Sequence, residues 1–165
     1  MDLGRWLDER SGPGAAVDPA LVGAEHFTRA QVEQLVDGKF GDDPRRGARV
    51  KERLATVDDA RIEGLTRQAF ACFHDLVALL ACEALPGLGP ATASLLLAAQ
   101  APHRFVVIDS RALAALRELG RFPAGGHFAV AEHWEPYLAA CRDVARETGR
   151  DLPAVVRALT VGGST

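Results

Sequence analysis

Lysine is almost missing from this chain. Only Lys39 and Lys51 occur in 165 residues, so a reaction needing a side-chain amine has two possible sources. Cysteine is scarce too: Cys72, Cys82 and Cys141 are odd in number, far apart and without C-x-x-C spacing. This argues against a disulfide framework or a cysteine-cluster metal site and predicts a reduced, cytoplasmic protein. No apolar run approaches the ~18 residues of a membrane span, and Met1-Asp2-Leu3-Gly4-Arg5 lacks the apolar core of a signal peptide. Fixed-period repeats and low-complexity blocks are absent, as are a P-loop, a dinucleotide fingerprint and a Ser-His-Asp order. No cofactor or membrane partner is expected.

Alanine, by contrast, supplies 29 residues, and 48% of the chain is hydrophobic. A core rich in alanine suits close-packed helices better than bulky strands, and the apolar fraction argues against disorder. The expected fold is all-α, one domain or two small helical lobes with a cleft. The expected division is an N-terminal segment with a loop, 1–27, followed by a helical domain, 28–165.

Helix boundaries follow from capping and breaking residues. Residues 11–20 read as a loop, with Gly12 and Gly14 on either side of Pro13. Thr28 and Gln31 form a capping-box pattern, with Phe27 and Val32 as its hydrophobic staple, and predict a helix from Arg29 to Asp37 stopped by Gly38. After the Gly41–Pro44 turn, Arg45 to Leu54 can be helical. Asp58 or Asp59 caps the next helix, with Ile62, Leu65, Ala69 and Cys72 on one face. A further pair, Leu76–Leu85 and Thr92–Ala101, makes up the region 76–101. Phe105 to Ile108 is too short a run to assign as a strand. Asp109 precedes a helix over Ser110–Leu119, stopped by Gly120. Trp134 to Thr148 is amphipathic, with Pro136 tolerable only in its first turn. Asp151 and Pro153 open a last short helix.

The net charge of −3 does not mark a general polyanion binder, but charge is unevenly placed. Residues 1–44 carry a net of −5, whereas Arg45, Arg46, Arg49, Lys51 and Arg53 against Glu52 give 45–53 a net of +4. Such a cluster can neutralise phosphates or simply form a solvated helix face.

The centre of the chain is the most informative part. Leu85-Pro86-Gly87-Leu88-Gly89 joins two apolar helices through a turn too short to be a linker, and Pro90 suits the first turn of the second helix. Glycine lets another backbone approach closely. Amides of Gly89, Ala91 and Thr92 at the helix start, with the helix dipole, favour an anion without any basic side chain. An ordinary helix–helix turn would use the same residues.

Leu85-Pro86-Gly87-Leu88-Gly89-Pro90-Ala91-Thr92-Ala93-Ser94, followed by Val107-Ile108-Asp109-Ser110-Arg111, resembles the signature of the helix-hairpin-helix DNA glycosylases. The resemblance covers roughly Leu76 to Gly120 and is similar to that of shorter bacterial members, with which Trp134-Glu135-Pro136-Tyr137-Leu138 is in keeping. It implies DNA as partner, base-excision repair as context, and hydrolysis of an N-glycosidic bond as activity. By resemblance, Gly87, Leu88, Gly89, Ala91 and Thr92 would bind the DNA backbone, with Arg45, Arg46 and Arg49 as further phosphate contacts. Asp109 would be the catalytic carboxylate, stabilising the oxocarbenium-like charge that develops as the base leaves and orienting the attacking water. Asp109 is equally suited to a plain N-cap role.

The chain departs from the family in two places. Ala91 stands where bifunctional members carry a Schiff-base lysine, so a monofunctional enzyme is expected unless Lys39 is brought into the cleft. The iron–sulfur cysteines are missing as well. His127, Glu132 and His133 fit no strong metal spacing. Phe128, Trp134 and Tyr137 suit core packing or stacking on an extruded base. His103, six residues before Asp109, could line the same cleft or lie exposed in a loop. The alternatives are a non-catalytic DNA-binding or protein-interaction module, and a small-molecule hydrolase or antitoxin-like partner protein.

Overall fold

A computed structural model describes residues 2–10 and 18–162. The described residues are all-α, without strands, and most of the loop expected over 11–20 lies outside them. The chain divides into two compact units, residues 17–101 and residues 1–16 with 102–165.

The first unit holds α2 (Arg29–Lys39), α3 (Pro44–Leu54), α4 (Asp59–Ala71), α5 (Asp75–Glu83) and α6 (Pro90–Gln100); α1 (Leu3–Asp8) belongs to the second. Helix α2 starts as its capping residues dictate. Thr28 Oγ1 accepts from the Gln31 amide, and Gln31 Oε1 accepts from the Thr28 amide at 2.9 Å, satisfying two donors the helix cannot. Phe27 and Val32, the staple pair, are both fully buried. Asp58, rather than Asp59, caps α4, accepting from the Arg61 amide at 2.7 Å. Helix α5 starts one residue earlier than expected, with His74 as its N-cap and no side-chain cap bond.

Packing then fixes these helices against one another. Helix α2 packs on α3, α4 and α6, and α5 packs on both α4 and α6. Arg29 ties three elements together: its guanidinium reaches the Asp59 carboxylate at 2.6 Å, the Leu54 carbonyl at 3.1 Å and the Val57 carbonyl at 2.6 Å. Helix α3 buries Gly47, Val50 and Leu54 and turns its cations outward.

The second unit holds α1, α7 (Ser110–Glu118), α8 (Val130–Thr148) and α9 (Leu152–Gly162), with α9 packed on the other three. Helix α1 was not expected, although Asp2 is a residue type favoured at an N-cap. Asp2 accepts from the Arg5 amide at 3.2 Å, and Leu7 is fully buried, so this six-residue helix owes its place to packing.

Helix α8 corrects one expectation. It begins at Val130 rather than Trp134, so Pro136 lies beyond the first turn. Proline there removes the donor for the Glu132 carbonyl and costs about 3 kcal/mol. Both residues are exposed, so water can serve that carbonyl, while Trp134, Tyr137 and Leu138 are fully buried. Burial at about 2 kcal/mol or more per side chain exceeds the proline cost. The Phe105–Ile108 run is an irregular segment with Phe105 and Val106 buried. No helix among the described residues is long and apolar enough to cross a membrane.

Candidate functional site

The turn between α5 and α6 is built by one glycine with a positive φ. Gly87 sits at φ +88°, a conformation that side chains resist. Its open side is also occupied: a Cβ there would stand 3.0 Å from the Val50 carbonyl oxygen and 3.0 Å from Arg53 Cβ. The turn thus packs directly on the second half of α3. Gly89 differs, because a Cβ there would meet nothing within 4 Å and its φ is −89°. Its role is to open α6 as an exposed N-cap without a side-chain acceptor.

The amides of this turn divide into two groups. The Leu88 amide donates to the Leu85 carbonyl at 3.1 Å, and the Thr92 amide donates to the Gly89 carbonyl at 2.9 Å. Both side chains are buried, Leu88 in the turn and Thr92 in the first turn of α6, so neither residue offers a side-chain group or a free amide to an outside anion. The expected set of five narrows accordingly. Among the described residues, none accepts from the amides of Gly87, Gly89 or Ala91. These three lie at the positive end of the α6 dipole, and buried Ala93, Ser94, Leu96 and Leu97 hold that helix in place.

Two cations reach the same turn from other helices. The Arg53 stem lies along Gly87, and its side chain is exposed with no ionic partner among the described residues. Lys39, the last residue of α2, extends to α6 and donates from Nζ to the Ala91 carbonyl at 2.9 Å. The family resemblance finds no amine at position 91, yet the fold delivers one to the backbone of that residue. Sequence spacing gave no sign of it, since the two residues are 52 positions apart.

The remaining cations of α3 are not equivalent. Arg46, Arg49 and Arg53 recur at steps of three and four and share one flank of the helix. Arg46 stacks its guanidinium 5.0 Å from the centre of the Phe40 ring. Arg45 and Arg49 are exposed. Lys51, by contrast, is paired with Asp37 at 2.6 Å.

Asp109 belongs to the other unit. It is half-buried and caps α7, with Oδ1 accepting from the amides of Arg111 at 2.8 Å and Ala112 at 3.0 Å. The segment leading to it is held from below. Tyr137 Oη donates to the Val107 carbonyl at 3.0 Å, and burial pushes this phenol well above its ordinary pKa, so it stays a donor. Trp134 and Tyr137 are core residues, and Phe128 is half-buried with its ring 5.9 Å from that of Tyr137. His133 is engaged at the start of α8, where Nδ1 accepts from the Ala129 amide at 2.8 Å. Among the described residues, no group of three or more histidine, cysteine, aspartate or glutamate side chains could hold a metal. His103 is exposed and lines a cleft to which Asp109 does not contribute.

Compared with known protein families, curated proteins and solved structures, this chain matches none significantly.

Proposed function

We propose that this chain binds DNA by gripping a backbone phosphate at the α5–α6 turn, as a helix-hairpin-helix module would. The observation that carries this reading is the set of three amides, at Gly87, Gly89 and Ala91, from which none of the described residues accepts, flanked by the Arg53 and Lys39 cations. Backbone donors at a positive helix end supply directional bonds to a phosphate, and two nearby cations add charge without making the protein basic overall. Arg45, Arg46 and Arg49 on α3 extend the positive surface beside the turn.

The enzymatic form of this reading is monofunctional N-glycosidic hydrolysis on an extruded base, with Asp109 stabilising positive charge on the sugar and orienting water. The rigid hold on Asp109 supports it, because two amides and the Tyr137-anchored segment fix the carboxylate before substrate arrives. A second reading, a non-catalytic DNA-binding module, is favoured by the same cap, which gives Asp109 a sufficient structural reason to be there. A base-release assay on a panel of damaged duplexes, with salt-dependent binding measured in parallel, separates them. Release that disappears in Asp109→Asn while binding persists supports the enzyme. Binding without release on any duplex supports the module, and no binding at low salt removes both.

A further inference from the structure

The second unit contains an open cleft of about 660 Å³ where the end of α8 meets the start of α9 and residues 102–103. Its floor is apolar, formed by Pro102, Ala145, Leu152 and Pro153. Its wall carries Arg142 and Arg146, four residues apart on α8 and so about 6 Å apart along its axis, together with Arg150 just past the helix end. His103 also lines the cleft.

The local sequence explains why two of the three guanidiniums, Arg142 and Arg146, share one side of α8. Residues four apart lie on one face of a helix, and cations are favoured near its C-terminal end. Gly149, at φ +66°, ends α8, so Arg150 lies just past the helix and lines the cleft from the α8–α9 connection. Each of the three is positioned by an acceptor. Arg142 donates to the Arg104 carbonyl at 2.7 Å, Arg146 pairs with Asp143, and Arg150 pairs with Asp8. The one carboxylate in the lining, Asp151, is turned onto the Ala154 amide at 2.7 Å, where it caps α9. Arg146 is 78% exposed and His103 is exposed, so both can turn their donors towards a ligand.

We infer that this cleft binds a small organic phosphate, with its anionic head on the arginine wall and a flat apolar body on the proline–leucine floor. Guanidinium forks match phosphate oxygens in geometry, and several lining one cleft suit a dianion better than a monoanion. The volume lies within the range of small-molecule sites, and the lining pairs an apolar floor with polar groups. The site is independent of the DNA reading, because none of its residues belongs to the α5–α6 turn.

The test is a proton–nitrogen NMR titration of the full chain with phenyl phosphate, inorganic phosphate, phenol and benzoate. Saturable shifts at Arg146, His103 and Leu152 are expected, with phenyl phosphate binding at least about tenfold more tightly than the other three. Arg146→Gln should weaken phenyl phosphate about tenfold, the size of one charge-assisted hydrogen bond, with an unchanged melting temperature. Equal binding of phenyl phosphate and inorganic phosphate would overturn the apolar half of the assignment. Equal binding of benzoate would overturn the phosphate half. Full affinity in Arg146→Gln, shifts located elsewhere, or no saturable shift with phenyl phosphate would overturn the site itself.

Discussion

Lys39 Nζ hydrogen-bonds the Ala91 carbonyl at 2.9 Å, placing one of only two lysines in the chain at the second residue of α6. Lys39 is also the last residue of α2, where the helix dipole and the Ala91 carbonyl already favour its charge, so only a binding measurement separates that structural role from the proposed phosphate contact. Lys39→Met is expected to weaken binding to labelled duplex DNA and to lower the slope of log affinity against log salt by about 1. Fluorescence anisotropy across a salt series reads both. A wild-type slope in the variant would remove Lys39 from the interface. Borohydride treatment on abasic DNA should leave the wild-type chain unmodified, and an adduct lost in Lys39→Met would give this amine a covalent role instead.

The two glycines of the turn should behave oppositely. Gly87→Ala forces a side chain into a φ of +88° and against α3, with a stability loss of about 1–3 kcal/mol. Gly89→Leu enters open space at an ordinary φ, so its cost should stay under about 1 kcal/mol while duplex affinity falls. Urea unfolding and anisotropy on the same two variants check the pair. Equal stability losses would mean that the turn does not pack on α3 as described.

Asp109 can be divided into its two roles by choosing the replacement. Asn caps a helix as well as Asp does, so Asp109→Asn should keep stability within about 0.5 kcal/mol, whereas Asp109→Ala should cost about 1 kcal/mol. If base release occurs in the wild type, it should be lost in both variants. Release that survives in Asp109→Asn would confine this residue to capping α7.

Alkaline pH should destabilise the fold through its buried thiols. Burial, aided by Glu83, pushes Cys82 up to about 12, and burial does the same to Cys141. In the unfolded chain both ionise near 9. Between these values the unfolded state binds fewer protons than the native one, so stability is complete below pH 9 and falls as pH rises towards 12. The fall should approach about 1.4 kcal/mol per pH unit for each thiol. Urea midpoints at pH 8, 10 and 11 would show it, and Cys141→Ala should flatten part of the slope. In the native protein a thiol reagent should label Cys72, which is half-buried, well before Cys82 and Cys141.

Much of the helix pattern was legible in the sequence because caps and stops act over three or four residues. Thr28 with Gln31, Asp58, Pro90, Asp109 and Gly120 each place a donor, acceptor or permissive backbone beside the group that needs it. The start of α8 was misjudged for the converse reason. Pro136 signals a boundary locally, and only the burial of Trp134, Tyr137 and Leu138 on the neighbouring turns outweighs it.

The residues around the candidate site show the same division. A glycine-rich turn ahead of a proline-started helix was readable, and so were its dipole and its spare amides. Which amides stay unpaired depended on how the turn closed, and Leu88 and Thr92 closed it with their own. The sequence by itself determined an all-α chain, its caps and the α5–α6 turn, since those follow from hydrogen bonds between near neighbours. Tertiary structure alone decided that α3 presses on Gly87, that Lys39 crosses to Ala91, and that three arginines line a cleft with His103. Those contacts join residues tens of positions apart, and the packing of whole helix faces, which no local pattern encodes, brings them together.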